Sequence, residues 1–226
     1  TPQIDTPHSR RRVSLADYEF ADLIDQQDKV RLLIDPTSSY AQAAAMAMGR
    51  AMDDVIIAAA TGTAYTGETG ATSESVQTAI AASVGTGTGL NLVKLTTAKR
   101  LLDDADVDPS IPRHIIVGPE QLQNLLAVEQ VTSSDYNTVK ALVQGEIDSY
   151  LGFKFTVSNR LAKSGNDRTC IVYAEDGITL GIGKDISARI DERADKSYAT
   201  QVYYCQSIGA TRMESAKVVP ITCTEA

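Results

Sequence analysis

The chain has 226 residues, of which 43% are hydrophobic and 22% are charged, and this length allows one large domain or two closely associated subdomains. Its formal net charge of −8 argues against nucleic-acid binding as the main task, because such a surface must neutralise phosphates with clustered Lys and Arg. The longest apolar run, 55–60, is far shorter than the roughly 20 residues of a membrane helix, so we expect no membrane contact.

The first 34 residues are polar and rich in charge, which predicts an extended arm or loop that needs a partner to become ordered. This segment holds the one basic cluster of the sequence, Arg10, Arg11 and Arg12. Two interpretations stay open for the cluster: it contacts DNA or an acidic neighbour, or it is a solvated or subunit-contacting basic loop. We favour the second.

A long helix is the clearest predicted element. Asp35 suits the N-cap and Pro36 suits the first helical position, and strong helix formers continue from there to Thr61. Gly62 suits the C-terminal stop. About 25 residues give a rod of about 38 Å. The predicted apolar stripe consists of Ala41, Ala44, Met48, Met52, Val55, Ile56 and Ala59.

Glycine is frequent in residues 62–90, which predicts a flexible surface excursion with a short helix near Glu74–Ser83. A second helix is predicted over 91–105, with a buried strand over 113–118. Further helices are predicted from Pro119 and over residues 136–143.

Strand patterns dominate after residue 153. They cover 154–158, 169–173, 178–182, 198–209 and 217–222, and Pro220 in the last of them suits a sheet edge. Helices first and strands later predict an α+β fold. The segment Gly177 to Asp185 superficially resembles a phosphate-binding loop, but the glycine spacing is wrong and an Asp replaces the magnesium-binding hydroxyl. A β-hairpin with glycines at its turns explains it better.

Catalytic and metal-binding patterns are not visible in the sequence. His8 lies in the arm and His114 lies in a predicted strand, so neither is well placed as a catalytic base. Carboxylate pairs such as Asp53-Asp54 are predicted on helix surfaces, not in a calcium loop. The cysteines Cys170, Cys205 and Cys223 are too far apart for a disulfide framework or a zinc site and are expected as free, half-buried thiols. We therefore expect no cofactor, no metal and no enzymatic activity.

Several segments in order resemble the major capsid proteins of tailed bacteriophages, the family with the Hong Kong 97-type fold. Residues 40–56 are similar to that family's long spine helix, and 101–107 followed by 113–119 resemble its passage of helix, Asp-rich turn, Arg, apolar strand and Pro. The segments Ser134 to Tyr136, Gly145 to Ile147, Leu151 to Phe153 and Tyr198 to Gln201 also stand in the family's order. The likeness covers most of the chain from about residue 14, although family members usually carry a longer N-terminal arm.

The resemblance implies a layout. Residues 1–34 would be the end of the arm and the extended loop, and 35–110 would be the peripheral domain with the spine helix. Residues 111–184 would form the axial domain, and 185–226 would supply the return strands of the peripheral domain.

The resemblance also implies a role in the virion. Copies would assemble as hexamers and pentamers into an icosahedral head, with scaffold, portal and cement proteins as partners and packaged DNA held only loosely. The alternatives are an encapsulin-like compartment shell and an α+β enzyme with an unrecognised site. The candidate subunit-interface residues are Arg10, Arg11, Arg12, Asp53, Asp54, Asp191 and Glu192.

Overall fold

The computed structural model describes residues 9–25, 37–85, 87–127 and 149–225. The chain divides into two compact units. The first unit consists of Thr1–Arg12, Ile57–Thr179 and Thr211–Ala226, and the second consists of Val13–Ile56 and Leu180–Ala210.

Helices come early and strands dominate later, as an α+β fold requires. The helices are α1 (Thr37–Thr61), α2 (Leu92–Asp104) and α3 (Pro119–Leu126). The strands are β1 (Arg11–Arg12), β2 (Ala16–Ile24), β3 (Ala64–Thr66), β4 (Thr72–Glu74), β5 (Arg113–Val117), β6 (Ser149–Tyr150), β7 (Phe153–Val157), β8 (Lys163–Ser164), β9 (Asp167–Ala174), β10 (Ile178–Arg193), β11 (Ala199–Arg212) and β12 (Val218–Thr224). Short 3-10 turns cover Glu175–Gly177, Ala194–Lys196 and Ser215–Lys217.

The first unit is built on a sheet of the order β12-β9-β5-β7-β6, with β8 paired to β9. Strand β5 runs parallel to β7 and antiparallel to β9. Because β5 and β9 are central, their side chains are buried, among them Ile115, Val117, Ile171 and Val172. Strand β12 is an edge, which confirms the prediction for Pro220: a residue without an N–H lies where no ladder donor is lost.

Helix α2 confirms its prediction closely. The Asn91 side chain accepts a hydrogen bond from Lys94 N at 2.9 Å, which is an N-cap contact, and Leu95, Ala98 and Leu102 are fully buried. Ala105, the last residue of the predicted range, is exposed at the C-cap.

Lys94 is also buried in the first unit. Its ammonium donates to the carbonyls of Thr88 at 2.9 Å, Gly89 at 2.7 Å and Thr222 at 3.1 Å. Desolvation lowers the Lys94 pKa, and the three carbonyls compensate for the lost water. These bonds attach the glycine-rich segment to β12.

One prediction for residues 62–90 is wrong, that of the short helix near Glu74–Ser83. The segment contains a hairpin of β3 and β4 that the sequence did not predict. The predicted helix near Glu74–Ser83 is absent from the described residues there, since Glu74 ends β4 and Ile80 lies beside β12. Ile80 N donates to Pro220 O, and Ile80 O accepts from Thr222 N, both at 2.9 Å. These bonds to a sheet edge replace the intrahelical ones.

The second unit contains a sheet of the order β10-β11-β2. Strand β2 has nine residues and pairs antiparallel with β11, from Ala16 opposite Ile208 to Ile24 opposite Thr200. The predicted arm therefore finds part of its partner in its own chain. Gln206 of β11 donates to Met48 O of α1 at 3.1 Å, and both residues are buried.

The glycines in β10 do not form turns, so the hairpin predicted for residues 177–185 is wrong. Gly181 and Gly183 lie inside the strand, and a Cβ on Gly183 would stand 2.6 Å from Leu15 Cδ1. Residues 13–15 therefore lie against these glycines, and a larger residue at 183 would have to displace the end of the Leu15 side chain.

The predictions for helix α1, for the cysteines and for three short segments have different outcomes. Helix α1 ends at Thr61 as predicted, but its buried residues near that end are Ile57 and Ala60, whereas Val55, Ile56 and Ala59 are half-buried. The three cysteines are free and buried, more deeply than predicted. The Asp35-Pro36 cap, the helix over 136–143 and the segment 134–136 lie outside the described residues.

Candidate assembly surfaces

The arm arginines Arg11 and Arg12 bind within their own chain. Arg11 forms an ion pair with Glu74, which lowers the pKa of that carboxyl, and its Nε donates to Met213 O. The Arg12 guanidinium lies 5.0 Å from the ring centroid of Tyr65, a cation–π contact.

Arg10 differs from its two neighbours. Its backbone carbonyl accepts a hydrogen bond from Thr66 Oγ1 at 3.0 Å, while the residue itself is exposed. Of the basic cluster, Arg10 therefore offers the guanidinium that is freest to meet another molecule.

The four acidic candidates lie in the second unit. Asp53 is exposed and Asp54 is half-buried on α1, and Asp191 and Glu192 are exposed on β10. Arg11 pairs with Glu74 and not with any of these four carboxylates. Asp53, Asp191 and Glu192 are exposed surface charges.

Arg212 is a residue that the sequence reasoning missed. It is fully buried at the end of β11, and its guanidinium donates to Ala60 O at 3.0 Å, Gly62 O at 2.8 Å and Glu74 O at 2.9 Å. Carbonyls at a helix C-terminus have no intrahelical donor, so Arg212 satisfies the end of α1 and ties it to β4. A single charged residue at the end of an otherwise uncharged strand was the available signal.

A second buried ionic cluster surrounds Glu225. Arg168 and Lys163 both form ion pairs with this carboxylate, and Gln121 Nε2 donates to it at 3.2 Å. The two cations, Arg168 first, lower the pKa of Glu225 to about 2. The cluster connects α3, β8 and β9 to Glu225. No sequence pattern predicted it.

One face of the second unit's sheet carries polar and ionisable groups. Lys184 Nζ donates to Cys205 Sγ at 2.9 Å, and Ser187 Oγ lies 3.0 Å from the same sulfur. The Lys184 and Ser187 hydrogen bonds lower the pKa of the Cys205 thiol. Tyr203 donates to Glu19 at 2.9 Å, and this bond is the main cause that raises the Tyr203 pKa to about 12.

Strand β10 presents an exposed apolar row at the edge of the same sheet. Ile182, Ile186 and Ile190 are 53%, 40% and 49% exposed, and they recur at intervals of four residues. Exposed isoleucines along a strand edge are typical of contact surfaces.

An open cleft of about 530 Å³ lies between the end of α2 and the turn at Leu151 and Gly152. Two of its charged lining residues form an ion pair, with Arg113 Nη2 at 2.7 Å from Asp103 Oδ1. Among residues 9–25, 37–85, 87–127 and 149–225, no group of His, Cys, Asp or Glu has three members placed to hold a metal ion. No helix in these same ranges is long and apolar enough to cross a membrane.

Comparison with known proteins gives a family match over nearly the entire chain: the model described as phage capsid protein matches residues 1–225. No curated protein is significantly similar in sequence. Solved structures with the same fold include one from Mycobacterium phage Che8 (19% identity, 91% of this chain and 70% of that chain, TM-score 0.65). The capsid of cyanophage P-SCSP1u is also similar (13% identity, 96% and 74%, TM-score 0.69), as is the acidic stable capsid of Helicobacter pylori bacteriophage KHP30 (10%, 94% and 76%, TM-score 0.67).

Proposed function

The chain belongs to the phage capsid protein family, and from that premise we propose that its copies associate as hexamers and pentamers that close an icosahedral head around DNA. It is a structural protein of the virion, a major capsid protein that forms the head shell, and not an enzyme. The family match over residues 1–225 carries this conclusion. No observation favours the encapsulin-like alternative or an enzyme.

The physical basis of the proposed function is multivalency. Each subunit makes several weak contacts with its neighbours, and closure of the shell makes their sum almost irreversible. A net charge of −8 is compatible with a wall that encloses DNA without gripping it. We therefore propose that packaged DNA is held only loosely.

The proposed layout assigns residues 35–110 and 185–226 to a peripheral domain and 111–184 to an axial domain. The second unit supports part of this layout, since it contains both Val13–Ile56 and Leu180–Ala210, whereas Ile57–Thr179 and Thr211–Ala226 belong to the first unit. Residues 1–34 would belong to the arm and extended loop, of which β2 is already paired with β11.

Contacts between subunits are proposed at Arg10 and at the exposed acids Asp53, Asp191 and Glu192. A guanidinium and a carboxylate form bidentate hydrogen bonds, and one exposed pair contributes about 0–1 kcal/mol. The same small contribution repeated at every contact of a shell shifts assembly strongly. Scaffold, portal and cement proteins are proposed as further partners.

Sedimentation of the full chain tests the proposal. We expect shells or capsomer-sized oligomers, because a subunit built for a shell exposes contact surfaces that associate at high concentration. A stable monomer at high concentration would contradict the proposed function.

A further inference from the structure

Strand β10 has a free edge along most of its length. It has 16 residues, and its sheet partner is β11, so its other side has no strand beside it among the described residues. Residues 182–193 are exposed, apart from the half-buried Ser187. The unpaired N–H and C=O groups of such an edge are ready to pair with another chain.

Strand β10 lacks two of the usual protections of an edge strand, shortness and proline, and keeps a third, charged side chains. Natural edges are kept short or carry proline and several lysines, whereas β10 is long, has no proline and has one lysine. That lysine, Lys184, donates to Cys205 of the neighbouring strand. An edge with this character in a protein that assembles with its own copies points to a subunit contact.

The sequence of β10 is complementary to itself in one antiparallel register. If two copies meet with Ile186 opposite Ile186, then Ile182 of each copy lies opposite Ile190 of the other. In the same register each charge from Lys184 to Asp191 faces a small uncharged residue. The pairs are Lys184 with Ala188, Asp185 with Ser187, Arg189 with Gly183, and Asp191 with Gly181.

Registers centred one residue away are less favourable, because they oppose like charges or place isoleucines opposite charged residues. Centring the pair on Asp185 places two carboxylates directly opposite each other, which is destabilising. Centring it on Ser187 places Ile182 opposite Glu192 and Ile190 opposite Lys184. The symmetric spacing of the three isoleucines about Ile186 therefore selects one register.

We propose that two copies of the chain pair antiparallel through their β10 edges, about a local twofold axis at Ile186. The contact is isologous, because the same strand contributes from both sides. Its main-chain hydrogen bonds give affinity, and the matched isoleucines set the register. This inference rests on the proposed shell function and names one surface that the shell uses.

Cysteine cross-linking in assembled particles tests the register. Opposed residues have Cβ atoms about 5 Å apart, so Ile186→Cys should give disulfide-linked dimers on mild oxidation. The Ile182→Cys and Ile190→Cys variants should not, because each residue is separated from its own copy by eight strand positions, about 26 Å. Mixed particles that contain both of these variants should cross-link.

Two controls belong to this experiment. The wild-type protein has three buried cysteines, and Val93→Cys introduces a thiol at a residue 46% exposed on α2. Neither should give dimers. Dimers from Ile182→Cys as abundant as those from Ile186→Cys, or none from Ile186→Cys in intact particles, would overturn the proposal.

Hydrogen exchange on the wild-type protein gives a second measurement that needs no variant. Amides of residues 182–193 should exchange at least tenfold more slowly in particles than in dissociated subunits. Equal exchange in both states refutes the β10 contact even though particles exist, whereas failure of the wild-type chain to form particles refutes the proposed function itself.

Discussion

Replacing Arg212 by Met tests how the end of α1 is stabilised. The substitution keeps a long apolar stem but removes the donors to three carbonyls, the buried one of Ala60 and the partly buried ones of Gly62 and Glu74. Each hydrogen bond from a charged donor contributes about 1.5–3 kcal/mol to stability. The cost of burying the guanidinium offsets part of the total from the three bonds. Desolvation of the buried guanidinium costs stability, and it also lowers the Arg212 pKa. We expect Arg212→Met to lower the free energy of unfolding by about 3–5 kcal/mol.

Urea unfolding of dissociated subunits, followed by circular dichroism, measures this loss. With a slope of about 2 kcal/mol per molar urea, the midpoint should fall by about 1.5–2.5 M. Arg212→Lys keeps the charge near the helix C-terminus without the planar fork and should lose about half as much.

Arg100→Met is the matched control, because Arg100 lies exposed on α2 in the same unit and its distance to Asp104 is 3.9 Å. The control should change stability by less than about 0.5 kcal/mol. A loss below about 1 kcal/mol for Arg212→Met would refute the claim that these three bonds hold the helix end.

Other predictions concern ionisation and the arm. The pKa of Glu225 is lowered from 4.5 to about 2, so its contribution to stability is present above pH 4.5 and is lost as the pH falls through 2. Glu225→Gln should flatten this part of the acid-unfolding curve, and an unchanged curve would contradict the role of its two cations. Lys184→Met should raise the pKa of Cys205, shifting the pH midpoint of its alkylation upward; an equal midpoint in both proteins would mean that the ammonium does not stabilise the thiolate. Arg10→Ala should reduce particle yield with the subunit's unfolding midpoint unchanged, whereas Arg11→Ala should lower that midpoint because the pair with Glu74 is lost. Normal yield from Arg10→Ala would remove the arm from the list of assembly contacts.

Hydrophobic periodicity predicted the elements whose apolar pattern is complete within their own segment. Helix α2 follows from Asn91 at its N-cap and three apolar residues on one stripe, and β9 follows from an apolar run that is buried on both faces. The end of α1 at Thr61 was readable because Gly62 interrupts a run of helix formers.

Elements that depend on distant partners were not predictable in the same way. Residues 75–80 have helix-compatible composition, but main-chain bonds between Ile80 and β12 fix them beside a sheet. The glycines of β10 were assigned to turns, since nothing local shows that residues 13–15 approach them.

The sequence also could not predict the buried polar clusters around Arg212 and Glu225, because their members are far apart along the chain. Arg212 donates to the backbone carbonyl of Glu74, 138 positions away, and the Gln121 side chain donates to Glu225, 104 positions away. The arm arginines illustrate the same limit: their composition indicated a basic contact segment, and the fold gives two of the three to partners in their own chain.

Electron microscopy of particles from the native source, labelled with an antibody against this chain, tests the central claim most directly. We expect label over the surface of icosahedral, DNA-filled heads that carry tails. Label confined to tailless compartments that enclose protein, or to material with no shell, would contradict it.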